Sequence, residues 1–246
     1  MTKTIFSILC VLFFSVGTLF AQEEADKLRD EGDAALKEKN YTLALEKYSK
    51  YLELTNYEDA PRIYNAGVSA DQSDNHEAAA KFFDLAIQKG QNTENAYVGK
   101  AKALRELDKT AELKETAETG LKAFPGNKNL ESIVYSYFMK EAQAEQKKGD
   151  VAKAEELFND VLMVSNAKYK GNALYSMGIL YYNKGAKALQ AITSLATSDP
   201  DKYAAEKAKL DPDFKKAKDY LEQALTASPD NANAKKSLES INDIMK

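Results

Sequence analysis

In the last sixteen residues of the chain, NANAKKSLESINDIMK, the apolar residues Ala234, Leu238, Ile241 and Met245 return at steps of three and four, and polar residues fill the places between. Residues so spaced share one face of an α-helix, so the segment predicts a helix with one face to bury. Small residues mark further helices upstream. Gly32, Gly67, Ala101, Ala142 and Gly178 follow one another at intervals of 35, 34, 41 and 36. Twelve residues after each of the first four stand Ala44, Ala79, Leu113 and Ala154, and three of these are followed four residues later by a bulky aromatic, Tyr48, Phe83 or Phe158. The pattern predicts pairs of antiparallel helices. A small residue where two helices cross lets the backbones approach, and the aromatic from the second helix fills the space beside it. Turn signals fall where helices should stop: EKN before Tyr41, QSDN before His76, KKGD before Val151 and FPGN after Ala123. Strand-type runs of Val, Ile and Thr are scarce while Ala, Lys, Glu and Leu recur, which predicts an all-α chain.

Residues 177–185, MGILYYNKG, carry the most specific signal. Leu174, Met177, Gly178 and Tyr181 reproduce the spacing in the first helix of a tetratricopeptide repeat (TPR), with leucine in place of tryptophan and methionine in place of leucine. The chain resembles that family in its intervals, which cluster near the 34-residue period, and in the aromatics that follow Ala44, Ala79 and Ala154. The third repeat departs at Lys100, Leu113 and Ala117 and agrees in Pro125. The resemblance implies a right-handed helical-hairpin solenoid of about five repeats, each burying its face against its neighbours. The repeats would span roughly 25–58, 60–93, 94–126, 128–166 and 171–230, with a C-terminal capping helix at 231–246. The interval of 41 exceeds the period by close to two helical turns, so a first helix from about Asn129 to Lys148 is expected to lengthen with its buried face in phase. After Gly185 the second helix of the pair is missing. DFKKAKDYLEQALTASPDN supplies it later, with Ala217, Leu221, Ala224 and Pro229 in register, which leaves residues 186–212 as an insertion. The insertion has an apolar helical stretch to about Ala196, a breaker at SDP and a second helical stretch into Pro212. Both flanking helices are expected to extend into it as a projecting hairpin that covers the end of the core or meets a partner.

The first 21 residues behave differently. Lys3 precedes an apolar run from Ile5 to Phe20, after which the acidic chain begins at QEEAD. This fits an export signal cleaved after Ala21, and the run is shorter than the ~20 residues a membrane span needs. Cleavage would remove Lys3 and Cys10, the only cysteine, leaving 33 basic and 38 acidic residues. A net charge near −5 argues against nucleic acid and against an anionic membrane surface as partners, and no stable membrane insertion is expected after cleavage. The basic pairs in EQKKGD and NAKKSLE are flanked by acids and read as solvated helix faces. The expected destination is the periplasm, with secretion or outer-membrane association as the alternatives.

No enzymatic constellation stands out. His76 is the only histidine, and one histidine without cysteine cannot build the usual zinc or nucleophile sites. There is no G-x-x-x-x-G-K-[ST] loop and no strand-linked G-x-G-x-x-G, and the carboxylates are spread over helix surfaces. No catalytic, cofactor-binding or metal-binding residue is predicted, and no cofactor is expected. The resemblance implies instead a concave face lined by the first helices, made here of Arg29, Asp33, Tyr64, Asn65, Val68, Lys102, Arg105, Met139, Gln143, Tyr175, Ile179 and Tyr182. Aromatic, methionine and amide side chains of this kind accept peptides. Some family members clamp a peptide's C-terminal carboxylate with lysine, arginine and asparagine. Arg29 and Asn65 match that clamp, but Asp33, Asn95 and Gly99 replace its other members, and an acid at Asp33 repels a carboxylate. The reading is a non-enzymatic protein- or peptide-binding scaffold of the bacterial cell envelope. The alternative is an envelope-assembly factor resembling periplasmic TPR adaptors of outer-membrane protein insertion or division-linked wall synthesis.

Overall fold

The computed structural model describes residues 21–245, so the segment read as an export signal lies, but for Ala21, outside the described residues. Every regular element among the described residues is a helix. The chain divides into two compact units, Met1–Gly120 and Leu121–Lys246.

The first unit is built from α1 (residues 21–37), α2 (Tyr41–Leu54), α3 (Ala60–Gln72), α4 (His76–Gln88), α5 (Thr93–Glu106) and α6 (Thr110–Ala123), the last of which runs a few residues past the boundary. Local chemistry sets the turns. Lys39, Asp74 and Asp108 each adopt a left-handed conformation, with φ of 59, 56 and 53°. The next residue's N–H then reaches back to the carbonyl five residues earlier, from Asn40 to Ala35, Asn75 to Ala70 and Lys109 to Leu104, at 2.8–3.0 Å. Asn40 and Asn75 also cap the following helices with their side chains, which satisfies an amide that the helix cannot. Inside the pairs, the crossing residues do what the spacing predicts. A Cβ built on Gly32 would lie 2.8 Å from the Tyr48 ring, and one on Gly67 2.9 Å from the Phe83 ring. Phe83 touches a second glycine as well, since a Cβ on Gly99 of α5 would overlap the other edge of its ring.

The second unit comprises α7 (Lys128–Lys148), α8 (Val151–Asp160), α9 (Ala167–Ile192), α10 (Leu195–Ser198), α11 (Pro200–Ala208), α12 (Asp211–Ala227) and α13 (Ala232–Ile244). At 21 residues α7 is longer than α3 or α5, which have 13 and 14. Its added turns lie at the N-terminal end: Gly67 is the eighth residue of α3, whereas Ala142 is the fifteenth of α7. There the buried Glu131 accepts hydrogen bonds from the Ser165 N–H at 2.5 Å and Oγ at 2.6 Å, tying α7 to the segment ahead of α9.

α9 packs extensively along α12. Gly178 and Gly185 of α9 face Leu221 and Phe214 of α12, and Gly171 faces Ser228 at its C-terminal cap, so the two sides step by seven residues in opposite directions. A Cβ on any of these glycines would come within 2.7–2.9 Å of its opposite side chain. The ladder therefore depends on three residues without side chains. α13 packs on α12 through Ala234 and Ile241, with Leu238 half-buried and Met245 exposed.

The insertion differs from the expected hairpin of two extended helices. Only α9 extends, and the chain returns through α10 and α11. Prolines explain the difference. Pro200 stands at the first turn of α11 behind the capping Asp199, and Pro212 at the first turn of α12, positions where the missing N–H costs nothing but which a continuous helix cannot pass. No residue from 186 to 212 is buried.

Candidate functional site

In the first unit the residues expected on the first-helix face are largely engaged with one another or with neighbouring charges. Asp33 of α1 accepts hydrogen bonds from Arg62 of α3, at 2.6 Å from Nη2 and 3.3 Å from Nε, and from the Tyr48 hydroxyl at 2.8 Å. Burial pushes its carboxyl up, and these donors outweigh burial and hold it below the ordinary aspartate range. Burial, with Asp33 as acceptor, raises the Tyr48 hydroxyl, so the pair is a locked donor and acceptor rather than a proton-transfer couple. Tyr51 is pushed up to about 12 by burial and by its 2.8 Å hydrogen bond to Asp59. Lys102 of α5 reaches Asp71 of α3 at 2.8 Å. Arg29 pairs with Asp26 and Asp30, and Arg105 with Glu106. Tyr64 stands edge-on to Phe83 with ring centres 5.8 Å apart, and Asn65 and Val68 are half-buried beside it on α3. Arg62 and Asp71 were not anticipated. Their reach to the adjacent first helix depends on how neighbouring helices are inclined, which residue spacing does not carry.

The second unit brings its candidates around open space. A cavity of about 670 Å³ lies between the N-terminal halves of α7 and α9, walled by Tyr135 and Met139 on one side and Asn172 and Tyr175 on the other, and closed by Pro229 and Asp230 ahead of α13. Asn172 Nδ2 donates to the Tyr135 hydroxyl at 3.0 Å, and Tyr135 stacks on Tyr169 with ring centres 4.2 Å apart and planes 10° from parallel. Tyr135 and Asn172 are thus held in fixed orientations at the cavity wall, with Tyr169 behind them. Tyr135 and Asn172 could have been found in the sequence, since they stand four and three residues before Met139 and Tyr175, on the same helical faces. Gln143 lines a second cavity, of about 1000 Å³, between the C-terminal halves of the same helices. Ile179 and Tyr182 line neither. Tyr182 is half-buried with its ring edge-on to Phe214 of α12, ring centres 6.4 Å apart.

On the other side of α9, Tyr181 is buried and donates to Glu155 of α8 at 2.6 Å. Tyr220 also donates to Glu155, and Lys216 reaches Glu155 at 2.7 Å and sits 4.3 Å from the centre of the Tyr181 ring. This group joins α8, α9 and α12. Burial pushes the Glu155 carboxyl up, but the three donors hold it below the ordinary glutamate range.

A crystal structure of a TPR repeats protein from Bacteroides fragilis is 44% identical to the chain, covers 89% of it and 98% of its own length, and matches with a TM-score of 0.80. The chain belongs to the tetratricopeptide repeat family. More distant TPR structures are also similar: the TPR domain of P58(IPK), at 16% identity over 93% of this chain and 67% of that one with a TM-score of 0.45, and YrrB, described as a TPR protein with an unusual peptide-binding site, at 17% identity over 91% and 97% with a TM-score of 0.42. No protein-family model matches the chain, and no curated protein does. The TPR fold serves in general as a scaffold for protein–protein interaction rather than as an enzyme. Among the described residues of this TPR chain, no group of three or more His, Cys, Asp or Glu is placed to hold a metal ion, and no helix is long and apolar enough to cross a membrane.

Proposed function

We propose that the chain is an exported, non-enzymatic scaffold of the bacterial cell envelope that holds a protein or peptide segment in the tyrosine-walled cavity between α7 and α9. The observation that carries this reading is the fixed orientation of Tyr135 and Asn172, with Tyr175 beside them, around about 670 Å³ of open space. Oriented aromatic and amide groups gain contact area and hydrogen bonds with a peptide without first losing side-chain freedom. In the first unit the corresponding charges are already paired, so that face contributes stability more than free contacts. The export part of the reading rests on the apolar run from Ile5 to Phe20 and its acidic end.

The test compares recovery of partners from envelope extracts by the full chain and by Tyr135→Ala/Tyr175→Ala. A protein retained by the first and lost by the second supports the cavity as the site, and identical recovery by both removes it. Intact mass of the envelope form is expected to start at Gln22, and a form retaining residues 1–21 would overturn export with cleavage.

A further inference from the structure

In a standard repeat the first helix stops five or six residues after its crossing residue, as α3 does after Gly67 and α7 after Ala142. α9 instead continues for fourteen residues beyond Gly178. Its last turns overhang the α7–α8 turn and enclose the cavity of about 1000 Å³. The apolar lining runs from the buried Leu180 through the half-buried Val151 and Ala188 to the exposed Ala191 at its edge. The rim carries Lys147 and Lys148 from the end of α7 and Lys184 and Lys187 from α9, and no lining residue is acidic. In the sequence alone Lys147 and Lys148 read as a solvated helix face. Lys148 is paired with Glu145 and Lys184 with Asp213, but among the described residues neither Lys147 nor Lys187 has a carboxylate within 4.0 Å. Four lysines around one cleft stand against the net charge of −4 on the whole chain.

We propose that this cleft binds an acidic peptide segment bearing a bulky apolar side chain. The apolar group rests on Leu180 and the alanines of α9, and the flanking carboxylates meet Lys147 and Lys187. A recessed apolar floor between two cationic rims suits a chain that presents both kinds of group within a few residues. A flat anionic surface reaches the rim lysines and leaves the floor empty. The inference is independent of the tyrosine-walled cavity, and it gives residues 187–191 of the insertion a direct role.

The experiment uses the full chain and a fluorescein-labelled peptide, Glu-Leu-Phe-Glu-Glu-Leu-Glu, beside its counterpart with lysine for every glutamate. Fluorescence anisotropy is expected to show binding of the acidic peptide only, weakening with added salt. Lys147→Glu/Lys187→Glu is expected to reduce affinity by about tenfold or more, Lys147→Arg/Lys187→Arg to retain it, and Lys153→Glu, outside the cleft, to leave it unchanged. Circular dichroism of each variant establishes that the fold is kept. Absence of binding, or equal binding by the glutamate variant, overturns the proposal. Loss of the peptide on Tyr135→Ala/Tyr175→Ala would move it to the other cavity and overturn it too. So would a lysine-dependent association with phosphatidylglycerol vesicles, or with a second copy of the chain in sedimentation, in the absence of peptide binding.

Discussion

Phe83 shows how narrowly single residues determine this packing. Its ring is held between Gly67 on one helix and Gly99 on another, and a methyl group at Gly99 has no room unless the ring moves. Gly99→Ala is expected to cost about 1–3 kcal/mol, as overpacked cores do, seen as a lower urea midpoint with unchanged slope. An unchanged midpoint would mean that the ring can shift freely. In the sequence Gly99 reads only as a missing clamp residue, because its contact partner is sixteen residues away on another helix. The adjacent tyrosines of α9 separate in a similar way. Tyr181 fills the buried packing position that its register implies, and Tyr181→Ala is expected to cost about 3–5 kcal/mol. Tyr182 has Phe214 against its ring, so Tyr182→Ala should cost about 1–2 kcal/mol rather than nothing. Denaturant melts of the two variants check the ranking, and equal losses would refute it. The Tyr182 contact was not legible because Phe214 arrives from beyond the insertion.

Among elements, the hairpin turns were the most legible feature. The left-handed residues Lys39, Asp74, Asp108 and Gly149 are separated by the same intervals as the crossing residues, and only the fourth is glycine. Lysine is poorly suited to that conformation and aspartate somewhat better. Lys39→Gly is therefore expected to raise stability by about 0.5–1 kcal/mol, and Asp74→Gly by less. A fall in melting temperature for Lys39→Gly would show that its side chain contributes more than its backbone costs. The lengthened α7 was also legible, since seven added residues return a helix nearly to phase. The glycine ladder of α9 was legible only at Gly178. Gly171 and Gly185 acquire meaning once Ser228 and Phe214 are known to lie opposite, and the insertion separates those partners from α9 in the sequence. The return path of the insertion was not legible because SDP reads as a breaker and the stretch before Pro212 as a helix running into it, whereas both prolines start helices.

For the molecule as a whole, each unit holds a carboxylate below its ordinary range, Asp33 in the first and Glu155 in the second. A carboxylate with a lowered folded-state value stabilises fully above its unfolded value, and that contribution disappears as pH falls through the folded one. Acid should therefore weaken the chain below about pH 4, and Asp33→Asn should flatten that limb of the stability profile while lowering the plateau at neutral pH. Melting temperatures between pH 3 and 7 test this, and parallel profiles would show that Asp33 does not contribute. Because the α9–α12 pair is fixed by a seven-residue ladder of close contacts, the stretch from 193 to 210 has only to bring two ends together. Joining them through a connection about six times longer than a three-residue turn raises the entropy cost of closing the chain by only about 1.6 kcal/mol, since that cost grows with the logarithm of length. That stretch is consequently where descendants of this protein can gain, lose or exchange sequence, up to a whole foreign domain, at little risk to the helices on either side.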